Sequence, residues 1–173
     1  MQLSQNILHK IDILNNLTPA QAGILLEAAK SKQLFKTEIL FAEGSQGNCL
    51  YVVLQGTLTA NIKHGTPAEK HVATLFPGDS FGEVAMLTGS ERTATIQAVT
   101  TSLVMQITKD AIQKAGLGSV IYQNIARVLA ERLMKMNHKA GKTRGFVDTF
   151  VGDQAKFLQI RPSHYDNHGW LRT

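Results

Sequence analysis

The sequence predicts a mainly β fold with flanking helices, a sandwich or barrel at its centre. Three observations carry this. Between residues 39 and 108, short apolar runs are punctuated by Gly44, Gly47, Gly56, Gly65, Gly78, Gly82 and Gly89. Within that stretch apolar and polar residues alternate, the two-residue period of half-buried strands. On either side the apolar residues recur at helical spacing instead. Many short strands separated by turn residues indicate a sandwich or barrel.

The elements follow in order. Residues 1–38 read as an N-terminal helical segment, with Leu3, Ile7, Ile11 and Leu14 at helical spacing. Thr18-Pro19 marks a helix start, Thr as N-cap and Pro in the first turn, and Leu25, Leu26 and Ala29 then supply an apolar face. Residues 39–108 hold the strands. Leu58, Ala60 and Ile62 alternate with Thr57, Thr59 and Asn61; Ala94, Ile96 and Ala98 alternate likewise; Leu103 to Ile107 is a further strand. Residues 109–139 return to a helical period. Tyr122, Ala126, Leu129, Leu133 and Met136 form a seam suited to helix–helix packing, either within the monomer or in a homodimer. Ile121, Ile125 and Val128 form an adjoining stripe that suits the barrel. Residues 140–173 form a tail of unassigned structure with scattered aromatics.

The chain's 173 residues suit one domain with a short appendage, and 43% apolar against 18% charged residues is globular composition. One cysteine, Cys49, excludes an intramolecular disulfide framework and a multi-cysteine zinc site. It sits in an apolar run and reads as buried and inert. The longest apolar run, Cys49 to Leu54, falls far short of the roughly 20 residues of a membrane span. No secretory signal is visible, so a soluble, cytoplasmic protein is expected. Residues 109–173 carry eleven basic and five acidic side chains, net +6, so the positive charge of the chain, +5 overall, comes from this segment. A solvated helix face with a charged tail accounts for this, and no basic run points to nucleic acid. No His or carboxylate spacing suits a cupin-like metal barrel, and His164 and His168 read as part of a polar tail. No nucleophile elbow supports a catalytic triad. No catalytic residue and no metal ligand is assigned.

The chemistry is concentrated in Phe81-Gly-Glu-Val-Ala-Met-Leu-Thr-Gly-Ser-Glu-Arg-Thr-Ala-Thr-Ile96, which follows the turn Leu75-Phe-Pro-Gly-Asp-Ser80. Gly82 lets the backbone approach a ligand closely. A short turn from Gly82 to Leu87 aims several N–H groups at one point. Arg92 offers a fork-shaped cation for a phosphate, and Glu83 an acceptor for sugar hydroxyls. An anion clamp beside a hydroxyl acceptor suits a nucleotide or sugar phosphate. The competing reading pairs Arg92 with Glu83 or Glu91 and assigns no ligand.

This stretch resembles the phosphate-binding cassette of cyclic nucleotide-binding domains, found in protein kinase A regulatory subunits, cyclic-nucleotide-gated channels and the bacterial catabolite activator. The preceding Pro-Gly-Asp turn and the early Phe41-Ala-Glu-Gly44 segment agree with it. The resemblance covers about residues 10–138. It implies a β-roll, a double-stranded jelly-roll-like barrel over 39–108, with N-terminal helices and hinge and lid helices over 109–139. It implies that Arg92 and backbone N–H groups around Gly82, Val84 and Ala85 hold a cyclic phosphate, and that Glu83 accepts from the ribose 2′-hydroxyl. Thr93 and Ala94 complete the cassette. A hydroxyl at Thr93 leaves cAMP and cGMP both open as ligands. Leu75 and Phe81 are candidate base walls or core residues, and Arg132, Met136 and Asn137 are candidate lid residues.

The resemblance implies a regulatory module rather than an enzyme. The 34 residues after Lys139 are too few for a winged helix-turn-helix. The expectation is therefore a stand-alone sensor without a DNA-binding domain. Nucleotide binding would move the lid helix and tail to regulate a protein partner in trans, with a homodimer through 119–139 as a further option. Two alternatives remain. The pocket serves as a non-binding interaction module, or the chain receives another phosphate ligand such as cyclic di-GMP, with Arg144, Arg161 and Tyr165 of the tail taking part.

Overall fold

The computed structural model describes residues 11–140, with side chains through Asn137. The described residues fall into two compact units divided between Val128 and Leu129. A 3-10 turn at Asp12–Leu14 leads into helix α1, Pro19–Ala28. Thr18 caps α1 as its sequence predicts: its hydroxyl accepts from the Gln21 N–H, and the Gln21 side chain accepts from the Thr18 N–H. The helical spacing around Leu3 and Ile7 lies outside the described residues, as do 141–173 with Arg144, Arg161, His164, Tyr165 and His168.

Eight strands follow: β1 Lys30–Leu34, β2 Ile39–Phe41, β3 Cys49–Gln55, β4 Leu58–Ile62, β5 Lys70–Leu75, β6 Ser80–Phe81, β7 Thr95–Ala98 and β8 Ser102–Thr108. Helix α2, Glu83–Thr88, interrupts them between β6 and β7. Two antiparallel sheets result, in the orders β1-β8-β3-β6 and β2-β7-β4-β5. The fold is thus a β-roll with flanking helices. Strand β1 falls inside the segment expected to be helical. Four of its five residues are exposed, so it shows no two-residue alternation. Pairing with β8 along Lys30–Leu34 makes it a strand, and its lysines suit a sheet edge.

The core lies between the sheets: Leu34, Cys49, Tyr51, Val53, Leu58, Ala60, Leu75, Phe81, Ile96, Ala98 and Val104. Strand β3 is buried from Cys49 through Leu54, which explains its continuous apolar run. Beyond β8 come helix α3, Lys109–Lys114, and helix α4, Gly118–Ala140. Ile121, Ile125 and Val128 of α4 are buried, in agreement with the stripe read from sequence. Buried Asn124 donates to the carbonyls of Ile13 (3.1 Å) and Asn15 (2.6 Å), tying the first turn to α4. Ala126 of the seam is exposed and Tyr122 and Leu129 are half-buried; Leu133 and Met136, in the second unit, are exposed.

Candidate functional site

The site begins at a turn. Phe76-Pro77-Gly78-Asp79 closes through the Asp79 N–H to the Phe76 carbonyl (3.0 Å). Pro stands at the second position and Gly78, with φ +101°, at the third, the type II arrangement. The Asp79 carboxylate accepts from the Phe76 N–H (2.8 Å). Two backbone bonds, Gly78 N–H to Val53 O and Val53 N–H to Asp79 O, fasten the turn to β3. The chain then passes through β6 into α2, bracketed by Gly82 (φ +78°) and Gly89 (φ +71°). Both positions are left-handed, where a Cβ would be strained. The first-turn N–H groups of α2, those of Glu83, Val84 and Ala85, have no acceptor four residues earlier by helix geometry.

Arg92 comes next, its backbone clamped between two hydrogen bonds of 2.8 Å, to Ser45 O and from Gly44 N–H. Its side chain is 4% exposed. The guanidinium Nη1 donates to the Gly82 carbonyl (2.7 Å), and Nη2 donates to Cys49 Sγ (3.4 Å). Cζ lies 4.3 Å from the centroid of the Phe41 ring and 5.7 Å from that of Tyr51. Tyr51 and Phe81 stack with centroids 5.5 Å apart, and the Phe41 ring lies tilted by 35° against both, at 5.7 and 6.2 Å. A Cβ on Gly47 would collide with Cζ and Nε of Arg92, so the glycine backbone lies directly against the guanidinium. Nε is buried with no hydrogen-bond partner among the described residues. Lys32–Glu38 and His64–Glu69 are ion pairs that do not involve Arg92. No ion pair of Arg92 with Glu83 or Glu91, the competing pairing, is seen among the described residues.

Glu83 is buried, at 3% exposure, at the start of α2. Ala85 is buried, Gly82 and Ala94 are half-buried, and Val84 and Thr93 are exposed. The seven cassette residues thus lie at the Gly82 cap of α2, on α2 and on the approach to β7. Leu75 and Phe81 belong to the core between the sheets. Arg132, Met136 and Asn137 lie on α4 in the second unit, where Met136 and Asn137 are exposed and Arg132 is half-buried.

The sequence left Gly47, Cys49 and Phe41 without roles at the site. Cys49 is buried as expected, and it also serves as a hydrogen-bond acceptor. Its sulfur accepts from Arg92 and from Gln106 Nε2 (3.2 Å). Burial, and then the adjoining Cys49 sulfur, push the Tyr51 phenol above its ordinary range, while Arg92 pulls it down. The Phe41-Ala-Glu-Gly44 segment was the available signal for Phe41. No signal marked Cys49.

Among the described residues no group of His, Cys, Asp or Glu could hold a metal ion. None of the described helices is long and apolar enough to cross a membrane. The buried Arg92 cation, with no carboxylate partner seen among the described residues, lies beside a turn bracketed by Gly82 and Gly89, an arrangement whose chemistry suits an anion. Residues 31–116 match the family model described as the cyclic nucleotide-binding domain, and this part of the chain belongs to that family. The family is a regulatory ligand-binding domain rather than a catalytic one. The chain is 27% identical, over 113 residues and 65% of its length, to the cAMP-dependent protein kinase regulatory subunit of Colletotrichum orbiculare. It spans only 28% of that relative's length. The Thermus thermophilus catabolite activator protein shares the fold, with a TM-score of 0.68 at 24% identity over 75% of this chain and 62% of that one. The regulatory domain of Toxoplasma gondii PKA crystallised with cAMP matches at TM-score 0.55 and 25% identity, covering 66% of this chain and 46% of that one.

Proposed function

We propose that this chain is a cyclic nucleotide sensor whose ligand is cAMP or cGMP. One observation carries the reading. Arg92 is a nearly fully buried guanidinium with no carboxylate partner among the described residues. Burying a charge without a counter-charge costs several kcal/mol, and a bound phosphate removes that cost. The likeness to cAMP-binding relatives supports the choice of phosphate ester. Arg92 holds the cyclic phosphate together with the N–H groups of Val84 and Ala85 near Gly82. Glu83 accepts from the ribose 2′-hydroxyl. Exposed Thr93, with Ala94 beside it, faces the choice between the two purines. Leu75 and Phe81 support the site from the core, and Arg132, Met136 and Asn137 are the lid candidates on α4. Occupancy shifts the population of helix and tail arrangements and so regulates a partner protein in trans. The shift is limited by the difference in nucleotide affinity between those arrangements.

The test is calorimetric titration of cAMP, cGMP and cyclic di-GMP into wild type and Arg92→Ala. Removing the buried cation should cost about 2–5 kcal/mol, a loss of roughly 30-fold or more in affinity. A loss under threefold overturns the assignment of Arg92 to the phosphate. Glu83→Ala should lose less, and 2′-deoxy-cAMP should lose nothing further against that variant.

A further inference from the structure

We propose that Cys49 positions Arg92 for its ligand. The sulfur is the only side-chain acceptor for the guanidinium among the described residues, and it receives a second donor from Gln106 on β8. The Phe41 and Tyr51 rings flank the guanidinium, with Cζ 4.3 and 5.7 Å from their centroids. Its orientation is then set by what its two terminal nitrogens hold. Nη1 is fixed by a main-chain oxygen, the Gly82 carbonyl, and Nη2 by Cys49. Gln106 reaches the same sulfur from the strand paired with β3, where Tyr51 stands opposite it. The sulfur is thus held between an amide and a cation.

The choice of sulfur has a chemical consequence. A thiol is a weak acceptor. It orients a guanidinium without forming the ion pair that an Asp or Glu would make. Nε–H, buried and without a partner among the described residues, leaves the guanidinium under-satisfied in a way that a carboxylate neighbour would relieve. Cys49 therefore keeps Arg92 in register while leaving its charge available to an incoming anion. Its functional consequence rests on the nucleotide reading; the positioning itself does not.

The experiment has two arms, run on wild type, Cys49→Val, Cys49→Ser and Gln106→Leu of the full chain. The first uses no ligand: 15N–1H correlation of arginine Nε–H groups, with the Arg92 peak assigned by its loss in Arg92→Lys. A dispersed, slowly exchanging peak is expected in wild type, retained in Cys49→Ser. In Cys49→Val it should move and exchange at least tenfold faster, and in Gln106→Leu it should move in the same direction. An unchanged peak in Cys49→Val overturns the proposal. The second arm measures affinity for cAMP and for the two diastereomeric phosphorothioates of cAMP, each with sulfur at one exocyclic oxygen. Cys49→Val should weaken cAMP about five- to tenfold and shrink the preference between diastereomers, while Cys49→Ser stays within threefold of wild type. In an Arg92→Ala background Cys49→Val should have no effect on affinity. An equal loss in that background marks a merely structural cysteine and overturns the proposal. A responsive Nε–H peak in a protein that binds no nucleotide refutes the nucleotide reading and leaves the positioning standing. If Cys49→Val does not fold, Gln106→Leu decides: an unmoved Nε–H peak and unchanged diastereomer preference there overturn the proposal.

Discussion

Gly47→Ala places one methyl group where the guanidinium of Arg92 now lies. The new Cβ would collide with Cζ, Nε and Nη2. The backbone at Gly47 cannot retreat freely, because the flanking Gln46 bridges to Glu91 and the Asn48 carbonyl accepts from the Lys109 N–H. Gly47 is not at a positive φ, so Ala itself fits the backbone there. The side chain of Arg92 must give way. It then loses the Gly82 carbonyl, the Cys49 sulfur and its place against Phe41. A hydrogen bond involving a charged group contributes about 1.5–3 kcal/mol, and a desolvated cation–ring contact about 2. The displaced cation regains water, so the net loss of stability is small, about 1 kcal/mol, comparable to a typical point mutation. Ligand affinity suffers more. Complete loss of the cation sets a ceiling of about 5 kcal/mol. A displaced cation forfeits a good part of that, so the expected loss is about 1.4–2.8 kcal/mol, or roughly 10- to 100-fold. The assay pairs calorimetric titration of cAMP with a thermal melt of the free protein. A melting temperature close to wild type with affinity down at least tenfold is expected. Affinity within threefold of wild type would refute the reasoning, since the guanidinium would then be free to move without consequence.

Arg92→Met should leave the free protein as stable as wild type or more so, because an apolar chain replaces a buried cation that no described carboxylate neutralises; urea unfolding of the two proteins checks this, and a loss above about 2 kcal/mol would make Arg92 a structural residue. In the β4–β5 hairpin, Glu69 is held below its usual 4.5, first by the Gly65 N–H and then by the His64 side chain. A depressed carboxylate contributes stability above its unfolded value, and that contribution is lost as pH falls through the folded value. The Gly65 amide should therefore exchange faster, relative to the intrinsic rate, as pH falls below 4.5. Glu69→Gln should flatten this dependence, and an identical pH profile in that variant would remove Glu69 from the explanation.

What was legible in the sequence was what short stretches decide. Thr18-Pro19 specifies a cap because the capping partner, Gln21, is three residues away. Pro77-Gly78 specifies a turn because one residue fixes φ and the next accepts a positive one. Gly82, Glu83 and Arg92 are close in the chain and share one loop, so the cassette could be read as a unit. Strand β1 was not legible, because Lys30-Ser-Lys-Gln-Leu34 at an exposed edge carries no alternation. Its conformation is set by β8, some seventy residues onward. Cys49 was read as inert for a related reason. Its neighbours in the chain are apolar, and the groups that give it a role, Arg92 and Gln106, are 43 and 57 residues away. Local pattern reports burial well, but not what a buried atom touches across a sheet.

The placement of Arg92 follows from this division. An arginine at the mouth of a roll would ordinarily reach for water with its long, flexible side chain. Here four residues keep it inside: Phe41 at the end of β2, Gly47 just before β3, Cys49 at the start of β3, and Gly82 before α2. They come from three separate stretches of chain, and each gives the cation something short of a counter-charge: a ring face, a glycine backbone, a sulfur or a carbonyl dipole. Any one acidic residue at these positions would satisfy the guanidinium permanently and remove its need for an anion. On the proposed reading, this set of partners is what fits a buried arginine to receive an anion instead of sitting in a structural ion pair. That reading also requires strand pairing on both sheets to be complete before the site exists, so that affinity for an anion and integrity of the roll should rise and fall together.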